Sequence, residues 1–252
     1  MPSFVFVSLH AVGFRLNFAF LVSRALATSP VALASKGRHC LTVPLATLLL
    51  LCGVSAGGAP VQVSVRDVAG AAVPDAVVHA NPIADTVAGT RPRRNAVIEQ
   101  IGREFVPQVT VVQAGTTVAF PNRDRLLHHV YSFSPAKTFE IKLYSGAAPF
   151  DVLFDKAGLV TIGCNIHDWM IAYVYVVDTP YFGRSDSGGK ASIGDMPAGD
   201  YDVHIWHPQQ RSQPAVVRLK VDGKAASELT LTIDVAPRRP KFKPPANPAA
   251  YQ

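Results

Sequence analysis

The chain contains 18 Asp and Glu residues, yet none of them lies in residues 1–56. Within that stretch Lys36 and Arg38 precede an apolar run that ends at Cys52, and small residues follow up to Ala56. A basic region, a short apolar core and a small-residue exit are the three parts of a secretory signal peptide, whereas the run is short for a membrane span. We therefore predict cleavage after Ala56, export to the periplasm and no stable membrane span after processing. A retained N-terminal anchor is the alternative.

Net charge is small once the two ends of the chain are set aside. The formal charge is +6, but residues 1–56 hold four Lys and Arg, and residues 237–252 hold four more. The body between them, residues 57–236, has 16 basic and 18 acidic residues. A near-neutral body argues against nucleic acid as a partner. The Pro-rich segment 237–252 is typical of a disordered basic tail.

Cysteine is scarce in this chain. Of its three cysteines, Cys40 and Cys52 leave with the predicted signal peptide, so Cys164 is the single thiol of the mature chain and cannot form an internal disulfide. A lone thiol in an oxidising compartment is a liability unless it is buried or committed to chemistry. The neighbours of Cys164 therefore carry the most information about function.

Stretches with helical periodicity are also missing from Val61 onward. Short alternating or β-branched runs occur there instead, separated by Gly, Pro, Asn and Asp. These runs are VQVSV, AVVHA, QVTVV, TVAF, HHVYSF, DVLF, VTIG, AYVYVV, YDVHIW and AVVRLKV. Many short strands with turn residues between them indicate an all-β sandwich or barrel.

The pattern with the most specific chemistry is Cys164-x2-His167-x2-Met170, in a short turn between two strand-like runs. A further imidazole is available 36 residues upstream, at His128 or its neighbour His129. One thiolate and two imidazoles, with a long and weak thioether bond, describe a mononuclear blue-copper electron-transfer site. Since neighbours on a strand point to opposite faces, only one residue of the His-His pair should reach the metal.

The segment from Glu104 to Val177 resembles a cupredoxin, the blue copper family that includes plastocyanin and amicyanin. The resemblance lies in EFVPQVTVVQAGTTVAFPNRD, in LLHHV and in the seven-residue Cys–His–Met loop. Through HHVYSFSPAK and GCNIHDWM the chain also resembles bacterial periplasmic proteins of methylamine utilisation. This implies a cupredoxin domain over residues 96–178 with one type 1 copper.

The resemblance also implies roles for individual residues. The copper ligands would be His128, Cys164, His167 and Met170. His129 would replace the family's Asn, whose side chain steadies the ligand loop. Asn165 and Ile166 keep backbone N–H groups that can reach the thiolate, because the loop has no proline. Trp169, beside a ligand histidine, is a candidate for a docking surface.

The regions that flank this segment resemble a different β-sandwich. Residues 61–81 resemble the opening strands of a carboxypeptidase-regulatory-like, transthyretin-like domain, and residues 184–206 resemble its closing half. Each piece lacks the strands that the other supplies. We therefore predict one discontinuous sandwich, residues 57–95 with 179–236, into which the cupredoxin is inserted. The alternative is two unrelated hairpins.

Three classes of function remain to be separated. The first is a carrier of single electrons between a periplasmic dehydrogenase and a c-type cytochrome, which is implied by the resemblance alone. A copper storage or delivery protein is disfavoured, because the mature chain has only two methionines. Copper enzymes need further centres with His-x-His pairs, which this sequence lacks, so we expect no enzyme activity. A structural sandwich without metal is the last alternative.

Other polar residues near these motifs receive structural interpretations. His204 and His207 have no nearby Cys or carboxylate cluster in the sequence, so we expect structural roles for both. Asp168 is predicted to be a solvated loop acid. Tyr201 is predicted to pack against the turn before its strand.

Overall fold

The structure is a computed structural model that describes residues 59–84, 95–223 and 225–237. The predicted signal peptide and all of the predicted tail except Pro237 lie outside these residues. The described ranges contain strands, turns and bends but no helix, so the all-β prediction is confirmed. Correspondingly, these ranges offer no helix of the length and apolarity that a bilayer crossing requires.

Seventeen strands occur in the described residues. The first nine are β1 (Ala59–Asp67), β2 (Val77–Pro82), β3 (Ala96–Val97), β4 (Glu99–Ile101), β5 (Glu104–Val106), β6 (Val109–Gln113), β7 (Thr116–Ala119), β8 (His128–Ser134) and β9 (Lys137–Tyr144). The other eight are β10 (Val152–Phe154), β11 (Gly158–Cys164), β12 (His167–Val177), β13 (Phe182–Arg184), β14 (Lys190–Met196), β15 (Gly199–Trp206), β16 (Val217–Val221) and β17 (Ser227–Ile233).

Strands β3–β12 form a unit that we call the middle sandwich. One of its sheets has the order β6-β12-β11-β8-β9, a second has the order β10-β7-β3, and β4 and β5 make a hairpin. In β11 the residues Val160, Ile162 and Cys164 are buried, while Leu159 and Thr161 on the opposite face are exposed. This period-two alternation places one face of the sheet on the core. The core side chains from both sheets form one apolar cluster.

The strands on either side of that unit pair with one another, and we call this arrangement the split sandwich. Strand β1 lies between β14 and β17, and β2 lies between β13 and β15, with β16 beyond β15. Val61, Val63 and Val65 of β1 share one apolar cluster with Ile193 and Val203 from the other side of the chain. The segments before and after the middle sandwich therefore share sheets and a core. Their assignment to the transthyretin-like family stays a prediction.

Aromatic rings join the two sandwiches. Tyr175 of β12 lies 5.3 Å from Trp206 and 5.7 Å from His79, measured between ring centroids. Tyr173 meets the same Trp206 edge-on at 5.7 Å. Aromatic pairs at this separation contribute attraction beyond their buried area. The strand that begins at His167 thus ends in contact with the split sandwich.

Candidate metal centre

Two pieces of β structure bring the candidate ligands together. His128 is the first residue of β8, and Cys164 is the last residue of β11. The β11–β12 pairing is regular as far as Gly163 and Ile171, then shifts register so that Cys164 lies opposite His167. Strand β8 reaches the same end of the sheet, because Tyr131 pairs with Gly163. This bulge and the pairing with β8 place the thiol and the two imidazoles next to one another.

The distances describe a compact group of donor atoms. Cys164 Sγ lies 3.9 Å from Nδ1 of His128 and 3.7 Å from Nδ1 of His167. The candidate donor atoms of the three residues all lie within 4.8 Å of one another. His128 is fully buried, whereas His167 is partly exposed. Of the two histidines at the start of β8, His128 is therefore the one whose ring faces the thiol.

Met170 and Trp169 follow on the same strand. Met170 is buried, belongs to the same apolar cluster as Cys164, and lines a groove together with Cys164 and Asn165. Trp169 is half-buried, with its ring 5.2 Å from the ring of His167. Its indole N–H donates to the carbonyl of Arg103 at 3.2 Å. Trp169 therefore packs against the site, and its predicted part in docking stays a prediction.

The surroundings of Cys164 favour the thiolate. Burial raises the pKa of this thiol, but hydrogen bonds with the His128 ring and with the backbone N–H groups of His129 and Ile166 outweigh it and leave the pKa below its ordinary value. The thiolate is the form that binds metal ions. Ile166 therefore supplies one of the two backbone donors that the proline-free loop made available, while the side chain of Asn165 is exposed.

Opposing effects act on the two imidazoles. Burial lowers the pKa of His128, but its contacts with Cys164 and Asp124 raise it above the ordinary value. At His167, burial and the nearby His128 and Arg103 lower the pKa. His167 is thus favoured in the neutral form, which is the form that binds a metal ion.

Sequence reasoning missed the residue on the far side of His128. Nε2 of His128 lies 2.8 Å from a carboxylate oxygen of Asp124. In the sequence, the one signal for this contact is that an acid stands four residues before the histidine, in DRLLH. Histidines that bind metals commonly donate their second ring N–H to a carboxylate, which fixes the tautomer and the ring orientation. Asp124 occupies that place here.

His129 is placed differently from the prediction. Its Nε2 lies 2.9 Å from a carboxylate oxygen of Glu140 on β9, and its ring packs 5.5 Å from Tyr131. The side chain therefore contacts the neighbouring strand rather than the ligand loop. What reaches Cys164 from this position is the backbone N–H.

The residues given structural interpretations have structural contacts. The His204 ring stacks on His79 at 4.8 Å, and the buried His207 accepts the backbone N–H of Gln209 through Nδ1. The Tyr201 hydroxyl donates to the carbonyl of Pro197 at 2.9 Å, across the turn before β15. Asp168 is exposed.

The donor set is selective for certain ions. A thiolate and two imidazoles suit copper or zinc, whereas magnesium and calcium prefer oxygen donors. The thiol lies beside both imidazoles with its pKa lowered, and the thioether of Met170 lines the same groove as the thiol. These residues therefore fit a bound transition-metal ion.

Comparison with known proteins gives limited likenesses. No family model matches the chain, and no curated protein matches it. Among solved structures, the Cu-containing nitrite reductase NirK from Thermus scotoductus SA-01 is 22% identical, over 38% of this chain and 25% of that one, with a TM-score of 0.32. The chain thus spans about a quarter of that enzyme's length.

Two smaller proteins are matched over nearly their whole length. A purple cupredoxin from Nitrosopumilus maritimus is 22% identical, over 32% of this chain and 99% of that one, with a TM-score of 0.30. Amicyanin from Paracoccus versutus is 18% identical, over 39% of this chain and 98% of that one, with a TM-score of 0.29. These structural matches cover only part of the chain. Any functional assignment therefore depends on the side-chain geometry of the site.

Proposed function

We propose that this protein is a periplasmic cupredoxin that binds one type 1 copper ion and carries single electrons between redox proteins. The observation that carries the proposal is the triangle formed by the buried Cys164 thiol and two imidazole nitrogens, which lie 3.9 Å and 3.7 Å from the sulfur and within 4.8 Å of each other. Cys164, His128 and His167 would be the main ligands, and Met170 would add a weak thioether contact. The bound ion would supply a one-electron Cu(II)/Cu(I) couple.

The chain's own residues suit that task in three respects. The ligands lie at the ends of paired strands, so a rigid scaffold holds them in nearly one geometry for both oxidation states. Burial of Cys164 and His128 excludes water from the thiolate side. The partial exposure of His167 leaves one ligand edge near the surface, where a partner can approach. These are requirements of an electron carrier rather than of a substrate-binding enzyme.

The wider setting is part of the same proposal. The split sandwich would be a transthyretin-like domain into which the cupredoxin, residues 96–178, is inserted. The redox partners would be a periplasmic dehydrogenase and a c-type cytochrome. We propose an electron-carrier role rather than an enzymatic one, because the sequence lacks the His-x-His pairs that further copper centres would need.

The test is a visible and EPR spectrum of the exported protein loaded with one equivalent of copper. Charge transfer from the thiolate to Cu(II) should give an intense visible band that disappears on reduction. Stopped-flow mixing with a reduced c-type cytochrome should then bleach the band. A stoichiometric Cu(II) complex without an intense visible band would contradict the proposal.

A further inference from the structure

The starting observation is that both ring nitrogens of His128 are engaged although the side chain is fully buried. Nδ1 lies 3.9 Å from Cys164 Sγ, and Nε2 lies 2.8 Å from Oδ2 of Asp124. Since a carboxylate only accepts hydrogen bonds, the N–H at Nε2 is the donor in the contact with Asp124. Asp124 therefore fixes the orientation of this imidazole through the ring nitrogen that points away from Cys164.

Asp124 is itself held in place by a turn from another part of the fold. Gly102 N–H donates to its Oδ1 at 2.7 Å, and Arg103 N–H donates to its Oδ2 at 2.9 Å. The backbone N–H of Asp124 in turn donates to Oδ1 of Asn122 at 2.9 Å. A carboxylate with two backbone donors and one imidazole donor has little freedom to rotate.

The turn that supplies these donors has an unusual backbone. Gly102 and Arg103 form the two-residue loop between β4 and β5, where Ile101 pairs with Glu104, and both have positive φ, at 63° and 61°. Positive φ is the left-handed region, which side chains other than Gly, Asn and Asp seldom adopt. Residues in such conformations persist where their surroundings over-determine them, and they concentrate at functional sites. At Arg103 the surroundings are the Asp124 carboxylate on one side and Trp169 on the other.

The same turn also reaches the second imidazole. The carbonyl of Arg103 accepts the indole N–H of Trp169 at 3.2 Å, and the Trp169 ring lies 5.2 Å from the ring of His167. A continuous path of contacts therefore runs from His128 through Asp124, the Gly102–Arg103 turn and Trp169 to His167. We call Asp124, Gly102, Arg103 and Trp169 the support network.

We propose that the support network positions both histidines of the metal centre, with Asp124 as its central positioning residue and as a determinant of the reduction potential. The inference rests on the proposed function, since it assigns these residues a part in copper binding. A carboxylate that accepts the ring N–H makes the imidazole a more basic ligand. Its negative charge stabilises Cu(II) more than Cu(I), so the intact network holds the reduction potential down.

The decisive variant is Asp124→Asn, which keeps the size of the side chain and removes its charge. We expect its Cu(II) affinity to fall by about 10- to 100-fold, the usual effect of losing such a partner of a ligand histidine. The potential should rise, and the EPR hyperfine pattern should change. The matched control is Asp155→Asn, since Asp155 is an exposed carboxylate of the same sandwich that pairs with Lys137 at 3.1 Å. The control should leave affinity, potential and spectrum at their wild-type values.

A further variant tests the contact between the turn and His167. Trp169→Phe keeps a ring beside His167 and removes the hydrogen bond to Arg103, so it should change the EPR spectrum. If the EPR spectrum of Trp169→Phe matched that of the wild type, the network would not position His167. Wild-type affinity and potential in a folded Asp124→Asn would overturn the central part of it.

A metal-free measurement separates this proposal from the proposed function. In the protein without copper, NMR should show a His128 Nε2–H that exchanges slowly with water, and Asp124→Ala should abolish that signal and shift the His167 ring resonances. If the wild type bound no copper but gave these NMR results, the proposed function would fail while the positioning would stand. Unchanged His167 resonances in Asp124→Ala would refute the shared network even in a protein that binds copper.

Discussion

Each sandwich contains a pair of closely spaced imidazole rings, and the two pairs have opposite surroundings. In the middle sandwich the rings of His128 and His167 are 4.9 Å apart and tilted by 58°. In the split sandwich the rings of His79 and His204 are 4.8 Å apart and parallel to within 7°. The spacing is nearly the same, so spacing alone does not make a metal site.

What differs is the chemistry around the rings. The first pair has a thiol beside both rings and a carboxylate on the far side of His128, and these contacts raise the pKa of His128 despite burial. The second pair has neither, so burial and the neighbouring His204 lower the pKa of His79 to about 4. His79 is thus favoured in the neutral form, and its stacking on His204 is a packing contact between β2 and β15. The anionic partners, rather than the imidazoles, mark the candidate site.

The largest effect is expected from removing the thiol. Cys164→Ser should abolish the intense visible band of the copper-loaded protein, because the band arises from the bond between sulfur and Cu(II). Absorption spectra and bound copper per protein measure this. His79→Gln, made in the other pair, is the control and should leave the band intact. Loss of the band in His79→Gln would mean that the stacked pair also serves the metal.

The next effect separates the two neighbouring histidines. His128→Ala should remove the blue site, because it deletes a ligand and leaves the Asp124 carboxylate without its donor. His129→Asn should retain the site with a modest change in stability, since the lost ring hydrogen-bonds Glu140 and packs against Tyr131. Copper titrations of the two variants, followed by the visible band, measure the difference. The opposite outcome would show that His129 is the ligand.

A third effect concerns pH and the stacked pair. Since the pKa of His79 is lowered from 6.5 to about 4, the unfolded chain binds more protons than the folded one between these values. The contribution of His79 is therefore complete above pH 6.5 and is lost as the pH falls towards 4, by up to roughly 3 kcal/mol. Urea unfolding from pH 7 to 4 should show a smaller loss of stability in His79→Gln than in the wild type. Equal losses would mean that His79 is not held neutral by burial and by its neighbour His204.

The smallest effect is expected at the thioether. Met170→Leu conserves the volume of a buried side chain, so the fold should survive with a cost below about 1.5 kcal/mol. An axial thioether is a weak and distant ligand, so the variant should keep copper and colour while its reduction potential rises. Potentiometry measures the change. Complete loss of copper would indicate that Met170 is a main ligand or an essential packing residue.

Much of this arrangement could be predicted because its signals are local. The seven residues from Cys164 to Met170 carry three candidate donors in one turn, and the alternation in β8 sends His128 and His129 to different sides. The network around Asp124 could not be predicted in this way. Its donors come from the Gly102–Arg103 turn, 21 and 22 positions away in the sequence, and only the folded chain brings them together.

Strand recognition had a similar limit. Strand β9 is absent from the predicted runs, although its apolar residues alternate with Glu140 and Lys142 in the period-two pattern of a strand. It lies at the edge of its sheet, where charged side chains are tolerated and discourage pairing with other molecules. An apolar pattern identifies strands that are buried in the middle of sheets more readily than strands at their edges.

The length of β12 has a mechanical consequence. His167 is the first of its eleven residues, and Tyr175, eight residues later and about 26 Å away along an extended strand, touches the split sandwich. Beyond it, the Thr179 hydroxyl donates to the carbonyl of Ala80 at 2.6 Å, and Ala80 N–H donates to the carbonyl of Tyr181 at 2.9 Å. The chain is thus tied to the split sandwich directly after β12. A molecule bound to the split sandwich would therefore lie about the length of one strand away from the candidate metal centre.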